Sequence, residues 1–141
     1  MIRIIASGVL FSVIGLGQLA YAEGNLSRRP MALPDLELAT DDGFGISQVE
    51  YQMETGKAYK LKIKSTGIEE CAFRADDFFR NVWLRKLEAG GLEIKAAQIN
   101  ELEFETEGEA EIFFVPIKPG RYPYGCEGLE DRGLSGTFIV R

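Results

Sequence analysis

The sequence contains no histidine among its 141 residues. Histidine is the commonest general base in enzymes and the commonest metal ligand, so its absence excludes the most usual catalytic and metal centres. Neither a Ser-x-x-Lys pair nor a Walker-type phosphate loop is present. We therefore expect a protein without enzymatic activity.

Basic residues are also scarce, with 16 Lys and Arg against 22 Asp and Glu and a formal net charge of −6. Binding to nucleic acids or to anionic membranes depends on basic side chains that displace counterions, so neither partner is expected. An acidic balance is compatible with cations or with a basic protein partner.

Long apolar runs are limited to residues 4–19, which follow Arg3 and precede the small-residue sequence Ala20-Tyr21-Ala22. This order is typical of a secretory signal peptide. Several glycines and polar residues interrupt the run, which makes it a poor membrane anchor. We predict that residues 1–22 are a cleaved signal peptide and that the product is periplasmic, without stable membrane insertion. It would have 119 residues (141 − 22) and a net charge of −7 (15 − 22).

The remaining residues are enough for one domain. Residues 23–34 are polar and contain two prolines, which predicts a flexible leader before a domain at 35–141. Alternating apolar and polar residues predict short strands, and Thr55-Gly56-Lys57 predicts a hairpin turn between two of them. The predicted strands cover residues 36–38, 46–53, 58–64, 102–104, 112–116, 122–126 and 136–140.

One segment breaks this alternation. Residues 76–88 carry apolar side chains, Trp83 among them, at helical spacing behind an acidic first turn, which predicts a short helix or turn that ends before Gly90-Gly91. Short strands with one helical insertion predict an all-β fold, a Greek-key two-sheet sandwich. Its core is expected to contain most of the aromatic residues, namely Phe73, Phe78, Phe79, Phe113, Phe114, Tyr122 and Tyr124.

Several motifs occur in a familiar order: Cys71-Ala-Phe73, Ala75-Asp-Asp-Phe-Phe79, an aromatic strand running into Lys-Pro-Gly-Arg-Tyr122, then Cys126 and Gly133-Leu134. In this order the chain resembles the small periplasmic cupredoxins over most of residues 35–141. It is also similar to the cupredoxin-like module of EfeO-type iron-uptake proteins. The resemblance implies the same two-sheet sandwich.

The resemblance also assigns the positions of the copper ligands. The first His position falls on Cys71, the thiolate on Cys126, the second His near Leu129 and the axial Met on Leu134. A leucine side chain has no lone pair to donate, and type 1 copper needs two imidazole nitrogens beside its thiolate. The resemblance therefore implies the shape of a cupredoxin without its usual copper site.

Two interpretations of the cysteines follow from the resemblance. Both would point at one former metal position, which is the proximity that a disulfide requires, and the bond would join the two sheets in place of the metal. Closing a loop of about 55 residues would stabilise the fold by about 4 kcal/mol. Alternatively, reduced Cys71 and Cys126 bind copper(I) or zinc together with Met53 or a nearby carboxylate.

Oxygen ligands offer a further alternative, because acidic residues flank both cysteines. Such carboxylates bind hard cations such as calcium or ferric iron, although acidic loops are also simply well solvated. The candidates are Glu69, Glu70, Asp76, Asp77, Glu127, Glu130 and Asp131.

The sequence therefore leaves two hypotheses about function. The first is a cofactor-free interaction or accessory module in the periplasm, whose protein partner binds residues 66–77 and 127–134. Trp83 is a further candidate anchor if its helix lies near that end. The alternative is a copper or iron delivery protein that uses Cys71, Cys126 and nearby carboxylates.

Overall fold

A computed structural model describes residues 28–141. The predicted signal peptide and the first part of the predicted leader lie outside the described residues. Within the described part, no helix combines the length and apolarity needed to cross a membrane.

The described residues form twelve strands and one short α-helix, with two 3-10 turns at Asp41–Gly43 and Glu130–Arg132. The strands are β1 (Met31–Ala32), β2 (Leu36–Thr40), β3 (Gly45–Ile46), β4 (Glu50–Met53), β5 (Tyr59–Ser65), β6 (Cys71–Arg74), β7 (Val82–Ala89), β8 (Leu92–Ile94), β9 (Glu101–Phe104), β10 (Gly108–Pro116), β11 (Gly120–Cys126) and β12 (Ser135–Val140), and helix α1 is Asp76–Phe79.

The strands lie in two sheets. The larger has the order β3-β2-β5-β10-β7-β8, with β1 also paired to β5, and the smaller has the order β4-β12-β11-β6-β9. Parallel pairs β2–β5 and β4–β12 bring together strands that are distant in sequence. The predicted all-β two-sheet sandwich with one short helix is confirmed.

Strand β5 shows how alternation builds this sandwich. Tyr59, Leu61 and Ile63 are buried in the core, as their spacing predicts. The intervening lysines lie on the outer face, where each forms an ion pair with a neighbouring carboxylate. These pairs are Lys60–Glu111 at 2.8 Å, Lys62–Glu109 at 3.5 Å and Lys64–Asp35 at 2.6 Å.

The predicted helix over residues 76–88 is wrong beyond its first turn, because helix α1 ends at Phe79 and strand β7 begins at Val82. Strand β7 pairs with β10 along its whole length, but the register shifts between Phe113 and Phe114. This bulge lets Leu84 and Leu87, three residues apart, both be buried. The three-residue spacing was therefore produced by a bulged strand rather than by a helix.

The predicted hairpin at Thr55-Gly56-Lys57 is a connection between the two sheets, because β4 belongs to the smaller sheet and β5 to the larger. The amide of Thr55 donates to the carbonyl of Arg141, and the amide of Gly56 donates to that of Pro116. These bonds tie the turn to strands of both sheets.

The predicted strand at 46–53 is likewise divided between the sheets, into β3 and β4. Ser47 lies at the crossing point, where its hydroxyl accepts from the amide of Glu37 and donates to the carbonyl of Asp35. Within the predicted leader, Met31 and Ala32 pair in parallel with Tyr59 and Lys60. The ordered sheet therefore begins before residue 35.

The core between the sheets is rich in aromatic rings. Phe78 stacks on Phe138 with ring centroids 4.3 Å apart and meets Phe114 edge to face at 5.3 Å. Tyr124 also packs against Phe138, at 4.3 Å. The predicted aromatic core is confirmed except for Phe113, which lies on the outer face with the Lys86 ammonium 4.5 Å from its ring centroid.

Candidate functional site

The two cysteines form the predicted disulfide. Cys71 begins β6 and Cys126 ends β11, and these neighbouring strands bring the two Cα atoms within 5.0 Å. Both residues are fully buried. One expectation is wrong: β6 and β11 belong to the same, smaller sheet, so the bond cross-links adjacent strands and does not join the two sheets.

The other two former ligand positions lie in the tight loop that follows Cys126. The amide of Leu129 donates to the carbonyl of Cys126, and the amide of Leu134 donates to that of Leu129. The amide of Cys126 in turn donates to the carbonyl of Leu134, whose side chain is fully buried. Main-chain bonds thus close the loop around apolar side chains.

These residues do not fit a copper ion. Both sulfur atoms are used by the disulfide, and the two leucines have no donor atom. Across residues 28–141, no group of three or more His, Cys, Asp or Glu side chains is arranged to hold a metal.

Four of the predicted carboxylates, those of Asp76, Asp77, Glu127 and Glu130, line one open groove with Arg74, but they are not arranged to hold a metal. Asp76 pairs with the Arg74 guanidinium at 2.7 Å, and Glu127 pairs with the same guanidinium from the other side. The hydrogen bond to Asp76 and the charges of both acids raise the pKa of Arg74. Glu130 is exposed in the 3-10 turn, as is the neighbouring Asp131.

Glu70 has a different environment again, because it lies beside Glu103 on strand β9 and helps to raise the pKa of that carboxyl. The acidic residues named from the sequence therefore lie in several environments: Asp76 and Glu127 share Arg74, Glu70 lies beside Glu103, and Glu130 and Asp131 are exposed. An oxygen-ligand site for calcium or iron has no support in this geometry.

The loops around the disulfide form a mixed apolar and charged surface, which we call the loop end and define as residues 66–70, 127–134 and Phe44. Ile68 is 61 % exposed, and the Arg132 guanidinium lies 4.7 Å from the centre of the Phe44 ring. Gly43 packs so closely that an added Cβ would lie 2.7 Å from Cγ of Glu69. Phe44 was not predicted as part of this surface, although a lone aromatic between two glycines is a recognisable signal.

Trp83 does not lie at the loop end. Strand β10 starts there, with Gly108 beside Ser65, and Trp83 pairs with Val115 near the other end of the same strand. The side chain is 41 % exposed. The suggestion that Trp83 anchors a partner at the loop end is therefore wrong, because the helix that would have placed it there is a strand.

Comparison with known proteins finds similarity in fold but no match to a protein family or to a curated protein. A multicopper oxidase from Campylobacter jejuni superposes with a TM-score of 0.60 at 14 % identity, covering 81 % of this chain and 31 % of the oxidase. McoA multicopper oxidase from the hyperthermophile Aquifex aeolicus gives 0.61 at 12 % identity, over 79 % and 29 %.

A smaller protein also matches over almost its whole length. The reduced auracyanin of the photosynthetic bacterium Roseiflexus castenholzii gives a TM-score of 0.50 at 16 % identity, covering 80 % of this chain and 98 % of the auracyanin. The chain spans about a third of the multicopper oxidases. Identities this low establish a shared architecture, and the chain has a cupredoxin-like fold.

Proposed function

We propose that this cupredoxin-like chain is a periplasmic interaction or accessory module that lacks a type 1 copper site and binds a protein partner through its loop end. The observation that carries the proposal is the Cys71–Cys126 disulfide, which occupies two positions that the cupredoxin resemblance assigns to ligands. Buried Leu134 occupies a third. A site filled in this way supports a role in binding rather than in electron transfer.

The chemistry of the loop end supports a protein partner. Ile68 is largely exposed, and Phe44 is partly exposed beside the cationic side chain of Arg132. Apolar and aromatic side chains with charged neighbours are typical of interfaces between proteins. Because the chain contains no histidine and its cysteines are oxidised, we infer no catalytic role.

The proposed compartment follows from two independent features. A structural disulfide persists in oxidising environments such as the bacterial periplasm. The sequence of residues 1–22 has the order of a secretory signal.

Native mass spectrometry of the protein from periplasmic extract, without reductant, tests the metal-free state. We expect the mature chain with two hydrogens fewer than the dithiol mass and with no metal. One metal ion per chain that is lost in Cys126→Ser would overturn the proposal in favour of copper or iron delivery.

Site-specific photo-crosslinking in cells tests the binding face. Ile68 and Ile117 are both 61 % exposed but lie at opposite ends of β10, so they form a matched pair. A crosslinker at position 68 is expected to trap one discrete protein, and the same group at position 117 is expected to trap none. Equal yields at both positions, or none at 68, would contradict the loop end as the binding face.

A further inference from the structure

Strand β9 is an edge of the smaller sheet. It pairs with β6 on one side, from Cys71–Phe104 to Arg74–Glu101, and no strand within residues 28–141 pairs with its other side. Alternate amide and carbonyl groups along such an edge point away from the sheet and are available to another strand. The main chain of β9 therefore offers a place for one additional strand.

A groove of about 460 Å³ runs along this edge. Its apolar lining comes from Leu102 and Phe104 of β9 and from Ala89 and Ala110 of the larger sheet. A short edge strand with charged side chains is already protected against aggregation, and this protection does not require an apolar groove beside the strand. The groove thus indicates a surface that can accept side chains.

The larger sheet extends further than the smaller one at this side. Ala110 pairs with Ala89, and Ala89 pairs with Leu92, so these residues form a row on the face that continues into the core at Ile63. Leu92, at the end of this row, is 66 % exposed. A strand added to β9 would lie over Ala89 and Ala110, which line the groove.

Apart from Glu109, which pairs with Lys62, the glutamates along the groove are uncompensated. Elsewhere, glutamates of β7, β8 and β10 form ion pairs with lysines, but within residues 28–141 no ion pair involves the glutamates at positions 101, 103, 105 and 107. Desolvation, followed by the charges of Glu101, Glu70 and Glu105, raises the pKa of Glu103. This row of like charges therefore favours a cationic partner from outside the domain.

We propose that a basic, extended segment of a partner protein binds here as an added strand along β9. Successive side chains of a strand point to opposite faces. Apolar side chains of the segment would enter the groove, while the alternate lysines or arginines would lie over Glu101 and Glu103. Main-chain bonds to β9 supply affinity, and the glutamates select for positive charge.

A second copy of this chain fits the same edge poorly. Two β9 strands placed side by side would bring Glu101 and Glu103 of one copy against the same acidic strand of the other, and like charges directly opposite are destabilising. The inference is independent of the proposed binding at the loop end, since Ile68 and Phe44 take no part in it.

Fluorescence anisotropy with a labelled ten-residue peptide of alternating lysine and valine tests the inference. The wild-type protein should bind the peptide, with an affinity that falls as salt is added. The double variant Glu101→Gln/Glu103→Gln should weaken binding by about tenfold. The control Glu50→Gln/Glu54→Gln removes the same charge at the opposite edge of the same sheet and should change the affinity by less than about twofold.

A second probe separates strand addition from simple charge attraction. The same peptide with N-methyl groups on four successive residues retains its charge but loses backbone donors, and it should bind at least about tenfold more weakly. Equal binding of both peptides, equal losses in the two double variants, or no binding to wild type would each overturn the inference. So would a wild-type dimer, seen by sedimentation, that excludes the peptide and gives the edge to a second copy. The Ile68 crosslink does not depend on these results.

Discussion

Two sides of the sandwich differ in how their strands are held. Around Cys71 and Cys126, a covalent bond lies beside buried aromatic rings, and Phe73 and Tyr124 pack with centroids 5.9 Å apart. On β8, by contrast, Leu92 and Ile94 are exposed, and on β9 like charges lie together. The contrast teaches that the stabilising interactions lie within β6, β11 and the core, whereas the open edge formed by β8 and the free side of β9 keeps features that suit binding rather than stability.

Removing the disulfide is the most direct way to break this contrast. The bond closes a separation of 55 residues, for which the chain-entropy treatment gives a stabilisation of about 4 kcal/mol. We expect Cys71→Ala/Cys126→Ala to lower the free energy of unfolding by about that amount, measured by urea denaturation. The reduced wild-type protein serves as the control and should unfold at a similar urea concentration. A loss under about 1 kcal/mol would show that packing alone holds this side closed.

A pair of leucines in one hairpin sharpens the comparison. Leu87 is 7 % exposed on β7, whereas Leu92 is 66 % exposed on β8. Leu87→Ala deletes buried methyl groups and should cost about 2–3 kcal/mol of unfolding free energy. Leu92→Ala should cost less than about 0.5 kcal/mol, because it removes mostly solvated surface.

The same urea denaturation assay measures both leucine variants, and each is the control for the other. Similar losses at the two positions would mean that Leu92 is covered in solution, which would remove the open edge. A larger loss for Leu92→Ala than for Leu87→Ala would contradict both the burial of Leu87 and the exposure of Leu92.

Much of the sandwich was predictable from local alternation. Strand β5 follows it residue by residue, because one of its faces meets the core and the other meets water. Strand β7 could not be predicted in this way, since the register shift opposite Phe113 and Phe114 leaves one extra residue, Arg85, in β7 and so gives Leu84 and Leu87 a helical spacing. Bulges depend on the pairing of distant strands, which spacing within one segment does not reveal.

The candidate sites were predictable to different degrees. Proximity of Cys71 and Cys126 followed from the family resemblance, but the membership of both in one sheet depends on strand order. The edge at β9 carried a clear signal, because glutamate recurs at every second position from 101 to 111. This glutamate pattern indicates a binding edge only if one side of β9 is unpaired, and the spacing of residues does not reveal which strands pair.

The smallest expected effect concerns how the stability contributed by two glutamates at the open edge depends on pH. Glu93 on β8 contacts Lys95 at 2.7 Å and Lys86 at 2.9 Å, and these lysines lower its pKa from 4.5 to about 2. Its contribution to stability is therefore present above pH 4.5 and is lost as the pH falls towards 2. For Glu103 the pKa is raised, so its charge opposes folding at neutral pH and this cost disappears on acidification.

At pH 7 the urea midpoint should therefore respond differently to the two substitutions, and both effects should fade at low pH as the carboxyls become protonated. Glu93→Gln should lower the midpoint at pH 7 and make it less sensitive to acid, because an ion-paired carboxylate has been removed. Glu103→Gln should leave it unchanged or raise it slightly, because the repulsion of Glu103 by Glu70, Glu101 and Glu105 is relieved. Both effects are small, since both side chains are exposed and solvent screens their charges. A lower midpoint for Glu103→Gln at pH 7 would mean that a cation already compensates this edge, and the contrast with β8 would disappear.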